Sequence, residues 1–255
     1  MALRDNYVSW WSRTACRPAG LRAVVALLLL LGISAGALRA EDEWEYEVKS
    51  GETLWVIATR YLKGVQYVLP LQKLNRIQRP NTLPPGTRLR MPYDWTRASV
   101  AKARIVAVRG DVRVEPGIGN PKPASVGIEL DAGDRVMTAG DSNALLEFSD
   151  GSRLRLNAEG SVRLKSMRVL SSGAGDAELE LEHGRTEATV TPAPGRGTRF
   201  QIETPSGVTS VRGTDFRVAS DPNASRTEVT AGRVAVDAAG QGVQVDAGFG
   251  TRVQA

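Results

Sequence analysis

From residue 103 onward, apolar and polar residues alternate with a period of two almost everywhere. A period of two places successive side chains on opposite faces of an extended strand, so this part of the chain is restricted to β structure. Clusters of Gly, Pro, Asn and Asp interrupt the alternation at intervals of roughly 8–16 residues, which is typical of an all-β fold. The segments that alternate most clearly are Ile105–Val108, Val112–Val114, Leu154–Leu156, Val162–Leu164, Leu179–Leu181, Phe200–Ile202 and Val234–Val236.

A short repeat recurs in the same region. In each copy Gly turns the chain, Ser or Thr follows, and apolar residues then alternate. The copies are Gly151–Leu156, Gly197–Ile202, Gly213–Val218 and Gly250–Ala255. Such repetition predicts many short stacked strands, arranged either as a sandwich or as a solenoid-like roll, and both arrangements stay open. The copies lack the glycine-aspartate calcium repeat, so they imply no metal.

Residues 44–96 carry a different pattern. Trp44–Val48 alternates as a strand. Four apolar residues that follow, Leu54, Ile57, Ala58 and Tyr61, have the spacing i, i+3, i+4, i+7 of one face of a helix. Residues 67–74 repeat apolar side chains at spacing three, which predicts a second short helix. Residues 87–92 alternate again. The predicted order is therefore βααβ, an α+β module with a boundary to the all-β part near residue 96, and we place the second domain at residues 103–255.

The net charge of +5 belongs mainly to the first 40 residues. These hold five Arg and one Asp, whereas the remainder holds 28 basic and 27 acidic residues, a net +1. A basic surface that could serve as a footprint for nucleic acid is therefore not expected. The first module, residues 44–96, is the basic end of the remainder, with eight basic and four acidic residues.

Residues 23–37 form an apolar run of 15 residues, shorter than the roughly 20 that span a bilayer as a helix. Arginines precede the run, and Ala35-Gly36-Ala37 closes it with small residues, so residues 1–40 are predicted to be a secretory signal peptide. The alternative is an uncleaved single-pass anchor, which would be the chain's one membrane contact. We expect a periplasmic or secreted protein.

Few residues are available for catalysis. Cys16 precedes the apolar run, and His183 is the one histidine, so a cysteine nucleophile, a multi-histidine metal site and disulfides in the mature chain are not expected. The acidic residues of the all-β part fall at turns or at outward strand positions. We therefore expect no enzyme activity and no cofactor.

A series of anchor residues runs through the first module. It reads Tyr46-x-Val48-Lys49-x-Gly51-Glu52-Thr53-Leu54-Trp55-x-Ile57-Ala58, then Leu71-x-x-Leu74-Asn75, then Leu83-x-x-Gly86-x-x-Leu89-x-x-Pro92. This series resembles the LysM domain over its full length. LysM domains are βααβ modules that bind N-acetylglucosamine-containing glycans, in bacteria chiefly peptidoglycan, so the resemblance implies that fold and that ligand here.

In the LysM family the binding groove lies between the loop after the first strand and the loop before the second. The resemblance places these loops at residues 51–54 and 79–82. It implies a set of glycan-binding residues that combines small side chains with exposed backbone: Gly51, Glu52, Thr53, Leu54, Arg79, Pro80, Asn81 and Thr82. Trp55, one position further on, is expected to be a core residue or a wall of the groove.

A second series spans residues 105–238. Its most distinctive part reads Thr204-Pro205-Ser206-Gly207-Val208-x-x-Val211-Arg212-Gly213-Thr214-Asp215-Phe216-x-Val218. This series resembles the FecR domain, an extracytoplasmic β module known from regulators that signal to a sigma factor. Those regulators need a cytoplasmic domain, and 22 residues before the apolar run are too few for one, so we do not expect the anti-sigma role. Arg212 and Asp215 are candidates either for mutual pairing or for contact with a partner protein.

The sequence as a whole predicts a non-catalytic envelope protein that binds peptidoglycan and presents a β surface to an envelope protein. Two alternatives stay open. The first is a membrane-anchored envelope sensor, which an uncleaved N-terminal segment would indicate. The second is a peptidoglycan hydrolase, which the 27 acidic residues outside the first 40 leave formally possible.

Overall fold

The structure is a computed structural model that describes residues 43–193 and 197–254. The predicted signal peptide, with Cys16 and the motif at residues 35–37, lies outside the described residues. Among the residues described, none of the helices is long and apolar enough to cross a membrane.

The first module has the predicted βααβ order. Strand β1 (Glu43–Glu47) precedes helix α1 (Leu54–Tyr61), and helix α2 (Val68–Leu74) precedes strand β2 (Arg88–Pro92). A 3-10 turn at Val65–Tyr67 leads into α2. The two strands pair antiparallel, with Glu43 opposite Pro92 and Glu47 opposite Arg88. Helix α1 forms as its pattern predicts, because its apolar face is buried against the two-stranded sheet of β1 and β2.

The rest of the described chain is built of short strands. They cover every segment for which alternation was observed, so the predicted all-β class is confirmed. Their bounds are β3 Ala98–Val100, β4 Ala103–Arg109, β5 Val112–Glu115, β6 Lys122–Pro123, β7 Glu129–Leu130, β8 Arg135–Thr138, β9 Asn143–Phe148, β10 Arg153–Leu156, β11 Ser161–Leu170, β12 Gly175–Thr189, β13 Arg199–Thr204, β14 Gly207–Val211, β15 Asp215–Asp221, β16 Ala224–Ala231, β17 Arg233–Ala238, β18 Gln241–Asp246 and β19 Gly250–Gln254.

The strands form two sheets that share one long strand. One sheet runs β6-β5-β8-β11-β12-β13-β14-β17-β18, with β3 also paired to β11, and the other runs β7-β4-β9-β10-β12-β15-β16-β19. The first part of β12 pairs with β11 and β13, and its last part pairs with β10 and β15. Inward side chains of both sheets meet in one hydrophobic core.

Consecutive hairpins alternate between the two sheets. The hairpin β13–β14 belongs to one sheet, β15–β16 to the other, and β17–β18 to the first again. Each new hairpin extends the sheet in which it lies, as β17 does beside β14. The fold therefore combines the two predicted arrangements. Successive hairpins are added to alternate sheets, as in a roll, and the two sheets enclose one core, as in a sandwich. We call this part the β-roll.

The βααβ module is packed against the β-roll. Leu170 and Ala174, which flank the turn between β11 and β12, are buried in the hydrophobic cluster of the module itself. The hydroxyl of Ser171 in that turn donates to the carbonyl of Tyr61 at 2.9 Å. The segment between the two parts is short and ordered, because β3 follows directly and pairs with β11. The described residues thus belong to one compact unit.

Two polar contacts at Tyr93, just after β2, also join the module to the β-roll. The hydroxyl of Tyr93 donates to the carbonyl of Thr198 at 3.3 Å, and the guanidinium of Arg199 lies 4.5 Å from the centre of the Tyr93 ring. A cation over an aromatic face is attracted by the ring quadrupole. Burial, which outweighs the opposing positive charge of neighbouring arginines, raises the pKa of Tyr93 to about 12. Tyr93 therefore stays protonated as a donor at neutral pH.

Gly197 meets the first module at Trp44. Its φ is +84°, a conformation that residues with a Cβ rarely adopt, and a Cβ placed there would come within 2.5 Å of Cγ of Trp44. Trp44 is 1% exposed, and its indole N–H donates to Oγ1 of Thr96 at 3.0 Å. The close approach of the glycine backbone is thus what allows the indole to be enclosed.

Gly173 offers a matched comparison, because it has the same φ of +84° with nothing within 4 Å of an added Cβ. We expect Gly173→Ala to lower the free energy of unfolding by about 1–2 kcal/mol through backbone strain alone. Gly197→Ala adds a steric conflict with Trp44, so we expect a further loss of about 1–3 kcal/mol. Chemical denaturation of both variants measures the difference, and equal losses would contradict the described contact.

Candidate functional site

The two predicted glycan-binding loops lie side by side at one end of the module. The backbone N–H of Leu54 donates to the carbonyl of Pro80 at 2.9 Å, which joins the loop after β1 to the loop before β2. The second loop is a tight turn, because the N–H of Thr82 donates to the carbonyl of Arg79 at 3.2 Å. The structure thus brings together all eight residues that the resemblance implied.

These eight residues differ in what they offer to a ligand. Gly51, Arg79, Asn81 and Thr82 are exposed, and Thr53 and Pro80 are half-buried. The remaining two are buried: Leu54 and Glu52, at 0% and 9% exposed. The Leu54 side chain belongs to the core of the module, so it supports the loop from beneath and does not reach a sugar.

Glu52 acts as a support for the first loop. Its carboxylate accepts from the hydroxyl of Tyr46 at 2.7 Å, from the N–H of Lys49 at 3.1 Å and from Nη1 of Arg60 at 2.7 Å. Burial by itself would raise the pKa of Glu52, but these hydrogen bonds and the Arg60 charge lower the pKa below 4.5. The carboxylate is thus ionised at neutral pH and fixes the turn at Gly51.

Helix α1 begins at the same loop. Oγ1 of Thr53 accepts from the N–H of Val56 at 3.3 Å, which caps the helix N-terminus. The next two side chains after Leu54 are exposed apolar groups, with Trp55 54% and Val56 38% exposed. Trp55 is therefore not a core residue. The helical pattern carries this signal, because Trp55 falls outside the face that holds Leu54, Ile57 and Ala58.

The loops lie at the end of the β1–β2 sheet that is farther from the β-roll. The β-roll contacts this sheet at Glu43 and Tyr93, at the start of β1 and just after β2. The loops follow Glu47, at the other end of β1. A five-residue strand spans about 16 Å, so packing against the β-roll leaves the loops open to solvent.

Arg212, a candidate for partner contact, has a neighbour within the molecule. Its Nη2 donates to the carbonyl of Glu43 at 2.7 Å, which ties the most distinctive segment of the β-roll to the first strand of the module. Asp215 lies at the start of β15, where its carbonyl accepts from the hydroxyl of Thr230. A contact of Arg212 or Asp215 with a separate protein stays a prediction.

A cleft of about 330 Å³ lies on the β-roll beside this interface and is lined by Arg199, Arg212 and Arg233. The charges in it are largely matched. Arg199 donates to Asp176 at 2.8 Å, and Arg233 donates to Asp246 at 2.6 Å. The cleft is therefore a structural ion-pair region and a weak candidate for an anion site.

Several carboxylates of the β-roll are held by ion pairs or within turns. Asp176, 1% exposed, contacts Arg168 and Arg199, and Glu182 contacts Arg135 and Arg163. Asp150 accepts from the N–H and hydroxyl of Ser152 within a turn. Within the part of the chain that the structure describes, no group of three His, Cys, Asp or Glu residues could hold a metal ion.

Two family models match the chain. The model described as "LysM domain" matches residues 46–92, which is the βααβ module. The model described as "FecR protein" matches residues 134–235, which lie within the β-roll. Both resemblances drawn from the sequence, and their order along the chain, are confirmed.

Solved structures add a more distant likeness. Two crystal structures of a protein from Parabacteroides distasonis, described as an anti-sigma factor, match at 18% and 20% identity with TM-scores of 0.40 and 0.39. Each match covers 47% of this chain and 54% of the other, so the chain spans about half the length of those proteins. A search of curated proteins found no match.

The Glu52 network makes a prediction about pH. Since the folded-state pKa of Glu52 lies below 4.5, the ionised carboxylate stabilises the fold above that pH, and this contribution is lost as pH falls through the folded-state pKa. Glu52→Gln should lower the free energy of unfolding by about 1–3 kcal/mol at pH 7 and should flatten its fall in acid. Urea denaturation at pH 7 and at pH 3 measures both effects.

The control is Glu47→Gln, which removes an exposed carboxylate at the end of β1. We expect this variant to keep the stability and the acid profile of the unmodified protein. If the two variants lose the same stability at pH 7, the assigned role of Glu52 is wrong.

Proposed function

Because the chain carries a LysM domain at residues 46–92 followed by a FecR domain at residues 134–235, we propose that it binds peptidoglycan without acting on it chemically. The ligand is an N-acetylglucosamine-containing glycan strand, bound between the loops at 51–54 and 79–82. The observation that carries the proposal is the Leu54–Pro80 hydrogen bond, which holds these loops together at the free end of the module.

The chemistry of the loops fits an N-acetylated sugar. An acetamide group needs one hydrogen-bond donor and one acceptor at close range, and the exposed side chains of Asn81 and Thr82 offer both. Gly51 beside them has open space where a Cβ would be, so a sugar can approach the backbone. The basic excess of residues 44–96 favours approach to an anionic cell wall.

The FecR domain contributes a β surface that packs next to the LysM domain. We propose that this surface meets another envelope protein, and that the packed interface keeps it at a fixed position relative to the bound glycan. One LysM site gives modest affinity, and a second contact of this kind would raise the avidity. The place of action is the periplasm or the outside of the cell, in keeping with the apolar run at residues 23–37.

Glycan binding is tested with the whole mature chain, because Leu170 and Ala174 of the β-roll complete the core of the LysM module. We expect the protein to co-sediment with purified peptidoglycan and to be released by soluble N-acetylglucosamine oligomers. Asn81→Ala should weaken binding about fivefold, the value of one hydrogen bond of about 1 kcal/mol. Asn223→Ala, an exposed asparagine in a turn of the β-roll, is the matched control.

Two results would contradict this assignment. The first is sedimentation that the soluble oligomers do not reduce, and the second is equal weakening by Asn81→Ala and Asn223→Ala.

The absence of catalysis is tested separately. Incubation of purified peptidoglycan with a high concentration of the protein should release no soluble muropeptides, because the carboxylates Asp176, Glu182 and Asp150 are committed to ion pairs and turns. The measurement is chromatography of the supernatant. Release that is lost on replacing one Asp or Glu by its amide would show that the protein is a hydrolase.

A further inference from the structure

Trp55 is the exposed aromatic residue next to the proposed glycan site. It is 54% exposed, whereas Trp44 is 1% exposed and Trp95 is stacked on Tyr67 with ring centres 5.6 Å apart. Within residues 43–193 and 197–254, no ring and no hydrogen-bonding group is paired with its indole. A tryptophan that leaves half of its surface in water gains little from burial and is a common anchor of binding sites.

The position of Trp55 in α1 directs its ring toward the loops. It is the second residue of the helix and follows Leu54, whose N–H is bonded to Pro80. The Cα–Cβ bonds of a helix tilt toward its N-terminus, so a side chain covers the surface over the preceding turn. The preceding turn here is the loop at residues 51–53. On this argument from helix geometry, we place Trp55 at the rim of the site.

The rim and the loops offer complementary chemistry. Asn81 and Thr82 provide polar groups, whereas Trp55 and the neighbouring Val56 provide an exposed apolar surface. A β-1,4-linked N-acetylglucosamine ring has the same two aspects, since its substituents are equatorial and polar while its axial C–H groups form an apolar face. Aromatic side chains are large, rigid and partly apolar, which suits them to pack against such a face.

We propose that Trp55 is a further glycan-binding residue, whose indole stacks on the C–H face of one N-acetylated sugar ring while the loops hold the acetamide of the chain. This inference rests on the proposed function and adds to it a specificity. Sugars with an axial hydroxyl on the stacked face lose this contact and bind more weakly.

The test uses the whole mature chain and chitotetraose, a soluble oligomer of β-1,4-linked N-acetylglucosamine. Titration calorimetry gives the dissociation constant, and tryptophan fluorescence reports on the indole. We expect Trp55→Ala to raise the dissociation constant about tenfold and Trp55→Phe to raise it no more than about threefold, because Phe keeps an aromatic face. Most of the fluorescence change on binding should be missing in Trp55→Phe.

The matched control is Leu69→Ala, which removes an exposed apolar side chain of α2 that is 66% exposed. It should bind chitotetraose as the unmodified protein does. Thermal unfolding of all three variants should stay close to that of the unmodified protein, since both side chains are largely in solvent.

The outcomes separate this inference from the proposed function. If the unmodified protein and Trp55→Ala bind chitotetraose equally, the stacking role is wrong and glycan binding stands. Equal weakening by Trp55→Ala and Leu69→Ala would also overturn it, because the effect would then be a general one of apolar surface. If the unmodified protein binds neither chitotetraose nor peptidoglycan, the proposed function fails and this inference fails with it.

Discussion

The burial of one indole, that of Trp44, is the contact on which the rest of the molecule depends. The ring is enclosed between Gly197 of the β-roll and the module's own Tyr46 and Tyr61, whose ring centres lie 6.1 and 5.9 Å away. Trp44 lies at the start of β1, which is the end of the β1–β2 sheet that meets the β-roll. The other end of the same strand leads to the proposed glycan-binding loop at residues 51–54, so the seating of this side chain contributes to where the LysM domain presents that loop.

The sequence predicted the local structure well because local structure depends on neighbours in the chain. Alternation predicted the strands of the β-roll, and the face that holds Leu54, Ile57 and Ala58 predicted α1. The pairing of strands was not predictable in the same way, since alternation shows which face of a strand is buried and says nothing about which strand lies beside it. The membership of β12 in both sheets, and the packing of Leu170 into the LysM core, depend on such distant neighbours.

The proposed glycan-binding site shows the same difference between what depends on nearby and on distant residues. The family motif indicated both loops, and the structure places them together. The family motif did not indicate that the Glu52 carboxylate is buried and supports the loop. The groups that hold this carboxylate come from Tyr46, Lys49 and Arg60, in three different parts of the module. The motif also did not show that Trp55 is exposed, since it identifies that position as part of the helix but does not say which residues surround the side chain.

The contact between Arg212 and the carbonyl of Glu43 joins residues that are 169 positions apart in the chain. At synthesis rates of about 5–20 residues per second, roughly 10–30 s pass between the appearance of the strand and that of its arginine. During this time the β1–β2 sheet has no β-roll to cover it, and the side of the Trp44 ring that will meet Gly197 stays uncovered. The interface that joins the module to the β-roll is therefore completed only after most of the chain has been made.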